Sequence, residues 1–312
     1  MEKFSNQEQQ QNLKNIKKDD IFKLSYQVQQ HTKALRSITS NKQGILATGS
    51  LDGVCAIFKK KENHYTHILD TKYHKDSPIY IVRCSCDDNF IFTGGKDAII
   101  NMMDCQGTLL KDFVGHTKTV NSISQAEPDC FISGSWDGTA IVWDIESSRQ
   151  MFQLEGHSHA VTTLALPNKK FITASQDKAI KFWDADKLIR TVELVHEDII
   201  RSIILDDSSE TFYTCSNDTV IKQWTMDGRL IGKLEEHEGF LFSILKKNGI
   251  LFSGGDDKVV KYWKNSKVMG ELYHPNTIWD MASDEIGDLI TGKNLNDFFL
   301  LIFFLNNYFL IK

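Results

Sequence analysis

An aspartate returns every forty-odd residues along most of this chain, and its neighbours return with it. The series is Asp52, Asp97, Asp137, Asp177, Asp218 and Asp257, at successive spacings of 45, 40, 40, 41 and 39 residues. Six positions after each stands a large side chain: Phe58, Met103, Trp143, Trp183, Trp224 and Trp263. Four positions before each stands a hydroxyl: Thr48, Thr93, Ser133, Thr173, Thr214 and Ser253. Between 20 and 23 positions before each stands a histidine: His31, His74, His116, His157, His196 and His237. Apolar strand-like runs alternate with Gly, Asn and Asp turns throughout residues 21–292. A repeat of this kind overrides the two-domain estimate that 312 residues would otherwise invite. Its period matches the ~40–45 residues of one propeller blade.

Two segments display the unit in full, FISGSWDGTAIVWD (131–144) and FITASQDKAIKFWD (171–184). They resemble the WD-repeat family: Gly115-His116 and Gly156-His157 show its GH element, Trp143-Asp144 and Trp183-Asp184 its WD element. The resemblance implies four-stranded antiparallel blades, each holding a buried tetrad of the four recurring residues. The tetrads are then His116, Ser133, Asp137 and Trp143; His157, Thr173, Asp177 and Trp183; His196, Thr214, Asp218 and Trp224; and His237, Ser253, Asp257 and Trp263. An indole N–H, a hydroxyl, an imidazole and a carboxylate can pass donors and acceptors along a line until each is satisfied. Losing one member strands the others, at about 1–3 kcal/mol per orphaned group. Phe58 and Met103 have no N–H to donate, so the first two blades are expected to run on a shortened network and to be the softer ones.

The expected fold is all-β, a seven-bladed WD-repeat β-propeller with an incomplete or irregular seventh blade. The seventh repeat begins normally with His274 and carries Thr291 at the hydroxyl position. The aspartate then belongs at 295 and the aromatic at 301, but both are leucine. The divisions are 1–20, a polar segment expected to be disordered; 21–292, the propeller; and 293–312, a hydrophobic tail that replaces the end of the seventh blade. Phe22–Val28 is the expected ring-closing strand and Phe298–Leu305 its makeshift partner. The tail's alphabet of Phe, Leu, Ile, Asn, Tyr and Lys is that of AT-rich codons, and a translated intron or a frameshift is expected behind it. Its apolar run of 14 residues is broken by Asn306-Asn307. A membrane span needs ~20 apolar residues, so no membrane partner is expected.

Catalysis, metals and nucleic acid all lack the residues they need. The net charge of −5 comes from interspersed acids and bases, with no basic stripe to neutralise phosphates. The six cysteines form no C-x-x-C and are read as reduced thiols in a cytoplasmic and nuclear protein. Cys84 and Cys86 would face one side of a strand, yet a metal site there needs two further ligands. Seven of the ten histidines belong to the repeat series, leaving His64, His67 and His159. No catalytic residue, metal or cofactor is therefore expected, and the chain is read as a binding module, not an enzyme.

Three stretches narrow the reading: GSWDGTAIVW (134–143), SNDTVIKQWTMDGRLI (216–231) and IWDMASDEIGDLITG (278–292). They look like the N-terminal propeller of the phospholipase A-2-activating protein family, whose propeller binds ubiquitin. The resemblance implies a truncated member with ubiquitin or ubiquitinated proteins as partners, acting in ubiquitin homeostasis and ubiquitin-dependent degradation. In that family a second ubiquitin-binding domain and a helical domain follow, and the helical domain docks the segregase ATPase valosin-containing protein. Neither is present in these residues, so that ATPase is expected to be reached only through domains absent here. The binding surface is expected on the propeller's top face, at Arg36, Tyr80, Trp136, Arg201, Phe240, Phe242, Asp256 and Trp279. Aromatics beside arginines have the composition of a binding hot spot. Ubiquitin presents an apolar patch rimmed by basic residues, which acids such as Asp256 and Asp280 would suit. The alternative is a generic WD-repeat scaffold that binds a peptide or an assembly partner without ubiquitin affinity.

Overall fold

Apolar residues that alternate along short runs, with turns between them, can satisfy their backbone only by pairing side by side. In a computed structural model they do so throughout; it describes residues 22–26, 30–62, 64–206, 210–285, 287–293 and 301–305. The strands form seven four-stranded antiparallel sheets. Six are blades of four consecutive strands, spanning 35–71, 79–114, 120–154, 161–192, 200–234 and 241–273. The first strand of every blade lines a central channel, and the fourth forms the outer edge.

The apolar core lies between the sheets. Leu35, Ile38, Phe58 and Tyr65 of the first blade pack on Ala282 and Ile290 of the seventh sheet. Phe252, Val260 and Tyr262 of the sixth blade pack on Ile278, Met281 and Leu289 from the other side. Neighbouring sheets approach closely enough to exclude a side chain at some positions. A Cβ on Gly134 would stand 2.3 Å from the carbonyl oxygen of Val161 in the next blade. In all six blades the register of the outer pair slips just before the sixth-position residue, between Ile57 and Phe58 in the first blade and between Tyr262 and Trp263 in the last. Such bulges twist an edge strand and disfavour edge-to-edge pairing.

The seventh sheet is built differently. Only Ile278–Ser283 and Leu289–Lys293 continue the repeat. Leu301–Leu305 pairs with the second of these, and Phe22–Tyr26 pairs with Leu301–Leu305 at the outer edge. The expectation of seven blades is thus corrected to six regular blades and a seventh sheet that keeps two strands of the unit. The reason is local: without the turn aspartate and the aromatic, the unit's second half has nothing to anchor it. Residues 1–20 and most of the tail lie outside the described residues.

A buried ion cluster fastens the seventh sheet to the first blade. Lys60 Nζ donates to Asp284 and, at 2.9 Å, to Asp288. Tyr65 Oη donates to Asp284 at 3.3 Å. Burial and the neighbouring Asp284 charge raise Asp288 to about 6 despite the Lys60 contact. A carboxylate raised in the folded state adds stability below its unfolded pKa of about 4. That stability is lost as pH rises through about 6. Wild-type protein therefore gains stability relative to Asp288→Asn as pH falls from 7.5 to 5. Parallel denaturant titrations of the two proteins check this, and a pH-independent difference would count against it.

Candidate functional site

The tetrads form as the repeat implies. Each imidazole Nε2 meets its hydroxyl at 2.7–2.9 Å in all six blades. In blades three to six the indole N–H donates to the same hydroxyl at 2.8–2.9 Å. Nδ1 faces the aspartate at 2.5–3.3 Å. The line runs indole to hydroxyl, hydroxyl to imidazole, imidazole to carboxylate. Each carboxylate also accepts backbone amides, as Asp177 does from Ser158 and Ala179. Burial opposes the charge on Asp177, but His157 and these amides outweigh it and hold the group at about 2. Asp218 is held at about 2 in the same way, against burial, by His196 and the amides of Glu197 and Val220.

In the first two blades Phe58 and Met103 fill the indole's place with buried apolar bulk. Backbone amides of those blades should exchange hydrogen faster than their counterparts in blades three to six. Mass-spectrometric exchange measured blade by blade checks this; slowest exchange in the first two would contradict it. In the seventh sheet His274 Nε2 meets Thr291 at 3.1 Å, and Nδ1 donates to the Asn276 carbonyl at 2.7 Å where other blades supply an aspartate. The tetrad hydroxyls are sealed: Ser133, Thr214 and Ser253 are 0% exposed and Thr173 1%. Cys84 ends an inner strand while Cys86 lies in the following turn, so the two sulfurs do not share a strand face as expected. Glu127, Asp129 and Cys130 group within 4.8 Å, but the Asn168 amide donates to Glu127 and Lys169 pairs with Asp129 at 3.8 Å.

The same architecture builds the top face. In every blade the amide just before the turn aspartate donates to a carbonyl at the entry of the inner strand, as Trp136 does to Thr119 at 2.9 Å and Asp256 to Phe240 at 2.8 Å. These bonds bring the turn residues beside the second residue of each inner strand. Arg36, Tyr80, Asn121, Arg201, Phe242 and Trp279 all hold that second position and line a channel of about 500 Å³.

The aromatics and arginines interlock. Phe242 and Trp279 stack with centroids 4.4 Å apart and planes 12° from parallel. Tyr80 meets Trp136 edge to face at 5.2 Å. The Arg36 guanidinium lies 3.8 Å above the Trp279 ring and 5.2 Å from Tyr80, joining the two pairs. Arg201 sits 5.5 Å from Phe242, and its Nε donates to Asn217 at 2.9 Å. Burial lowers both guanidiniums from their ordinary value. Trp136 and Phe240 remain 42% and 47% exposed, so they stand on the rim where the stacked pair lines the wall. Asp256 is also exposed and accepts a hydrogen bond from Thr277 at 3.0 Å.

Asp280 departs from expectation. It is buried and cannot serve an acidic rim. It holds the third strand position, which is serine in the first, third, fifth and sixth blades. One oxygen accepts from Ser37 at 2.9 Å, Arg83 at 3.0 Å and the Ile38 amide at 3.1 Å. The other accepts from Ser243 at 3.1 Å and the Met281 amide at 2.9 Å. One carboxylate so joins the sixth blade, the seventh sheet and the first two blades. Sequence reasoning missed Arg83 entirely. Its signal was a charge inside an inner strand, a place where only Arg36, Arg201 and Asp280 among the short inner strands carry another.

The WD domain, G-beta repeat, matches at residues 107–144, 148–184, 187–225 and 228–264. The chain is 31% identical over 296 residues to the ubiquitin homeostasis protein lub1 of Schizosaccharomyces pombe, covering 90% of this chain and 39% of that protein. It is 31% identical over 231 residues to protein DOA1 of Saccharomyces cerevisiae, covering 72% of this chain and 31% of that one. The crystal structure of the WD40 propeller domain of Doa1 superimposes with a TM-score of 0.81 at 28% identity, over 92% of this chain and 98% of that domain. The chain thus spans less than half the length of these curated relatives. It is a WD-repeat β-propeller that resembles the N-terminal propeller of the phospholipase A-2-activating protein family.

Proposed function

We propose that this chain is a non-catalytic ubiquitin receptor of ubiquitin homeostasis and degradation, and that it binds through the top face. The observation that carries the reading is the aromatic cluster at the channel mouth of a chain similar to a ubiquitin homeostasis protein. Exposed aromatics backed by a rigid stacked layer can bury apolar area at small entropic cost. Exposed acids stand at the turn-aspartate end of the fifth and sixth blades: Glu197, whose amide donates to Asp218, Glu238 next to the tetrad His237, and Asp256. They take the role expected of Asp280 and suit a basic rim around an apolar patch. The sealed tetrad hydroxyls support the non-catalytic reading, because a nucleophile must reach its substrate.

Titration of isotope-labelled ubiquitin with the full chain tests it. Shifts confined to ubiquitin's apolar patch, and weakened about tenfold or more by Trp136→Ala, are the expected result. A folded, monodisperse chain that moves no ubiquitin signal would leave a generic scaffold for a peptide or assembly partner.

A further inference from the structure

We propose that the top face orients ubiquitin by charge, holding the basic rim of its apolar patch over the fifth and sixth blades and away from a lysine sector on the first three. The inference rests on the ubiquitin reading and adds to it the direction in which the partner lies.

The charges of this face are sorted around the ring. The loops entering the inner strands and the turns carrying the tetrad aspartates share one end of each blade, because each tetrad histidine reaches its aspartate there. Apart from those aspartates, these segments of the first three blades hold Lys33, Lys72, Lys75, Lys96 and Lys118 against one acid, Asp76. All five lysines are exposed. The fourth blade is balanced, with Glu155 and Lys178. The fifth holds Glu193, Glu197 and Asp198. The sixth holds Glu235, Glu236, Glu238 and Asp256 against one base, Lys258. In a ring of seven sheets the second blade stands opposite the junction of the fifth and sixth, so the two sectors face each other across the channel mouth.

The fold does not require this sorting. The residue after a tetrad histidine gives its backbone amide to the turn aspartate, as Thr32, Thr117, Ser158 and Glu197 all do at 2.8–3.0 Å. A hydroxyl residue serves there in three blades. Glutamate at 197, and at the equivalent 238, sets a second carboxylate near the tetrad aspartate, which costs repulsion. Neither glutamate carboxylate has a hydrogen bond or ion pair among the described residues, and nor do the five lysine ammoniums.

Exposed charges unused within the protein act on what approaches it. At physiological ionic strength the Debye length is about 8 Å, so each sector acts on the partner surface nearest to it. Such fields steer the encounter and set its orientation more than they tighten the final complex. The aromatic cluster at the channel mouth can bury an apolar patch in either orientation, and the charges decide between them.

Stopped-flow association of ubiquitin with the full chain, at low salt and at about 1 M salt where the Debye length falls to about 3 Å, gives the first readout. Glu197→Lys with Glu238→Lys should slow association about tenfold at low salt and change dissociation less than about threefold, with the difference lost at high salt. The milder Glu197→Gln with Glu238→Gln should move the rate the same way by a smaller factor. Lys96→Glu with Lys118→Glu should not slow association. Nitroxide labels give the second readout, placed through Lys258→Cys or Lys72→Cys with the exposed Cys86 changed by Cys86→Ser. The label at 258 should broaden the amide signals of ubiquitin's basic rim and the label at 72 should not; in Lys96→Glu with Lys118→Glu the contrast should fade. Association indifferent to the acidic sector, or equal broadening of the rim from both labels, would overturn the orientation and leave ubiquitin as the partner. A folded chain that moves no ubiquitin signal would overturn the ubiquitin reading and this inference together.

Discussion

Replacing Asp280 with alanine will destabilise the propeller by about 3–5 kcal/mol, the loss expected when one partner of a buried charge pair is removed. The size follows from what the carboxylate leaves behind. Arg83 loses its partner at 3.0 Å, the amides of Ile38 and Met281 lose their acceptor, and Ser37 and Ser243 lose theirs. Water reaching the channel can rescue Arg83 in part, because its side chain is 36% exposed, but not the buried amides. Asp280→Asn keeps an acceptor without the charge and should cost less than half as much. Urea unfolding of the three proteins checks the order. A loss under about 1 kcal/mol, the median for an exposed surface pair, would show that the seam does not depend on this residue.

On the proposed ubiquitin-receptor reading, Trp279→Ala weakens ubiquitin binding by roughly thirtyfold or more, at least about 2 kcal/mol, the threshold of a hot spot. Two contacts go with the indole, the stack on Phe242 and the seat of the Arg36 guanidinium, so neighbouring side chains lose their positions as well. Trp136→Ala removes rim area and one edge contact to Tyr80, and should cost less. Calorimetric titration of both variants against ubiquitin distinguishes a shared platform from separate contacts. A Trp279→Ala affinity within threefold of wild type would place the site away from the channel mouth.

The sequence by itself determined the blades and their tetrads. Each tetrad closes within one repeat, so a histidine, a hydroxyl, an aspartate and a tryptophan kept in register were enough to foretell bonds of 2.7–2.9 Å such as His157 to Thr173. It also located the irregular unit, because Leu295 and Leu301 stand where an aspartate and an aromatic belong. The second-position residues that line the channel were readable too, by counting from each histidine.

What the tertiary structure alone decided lies between the blades. Asp280 reads as one more top-face acid until the ring brings it to Ser37, 243 residues away, and to Arg83, 197 residues away. Arg36 reads as a top-face residue from its place after His31, but only closure lays its guanidinium on Trp279. The Lys60 cluster with Asp284 and Asp288 is of the same kind. A repeat constrains contacts whose partners share its period. Contacts across the closing seam join the two ends of the repeat array, where period gives no register, and only the geometry of the closed ring sets which charges meet.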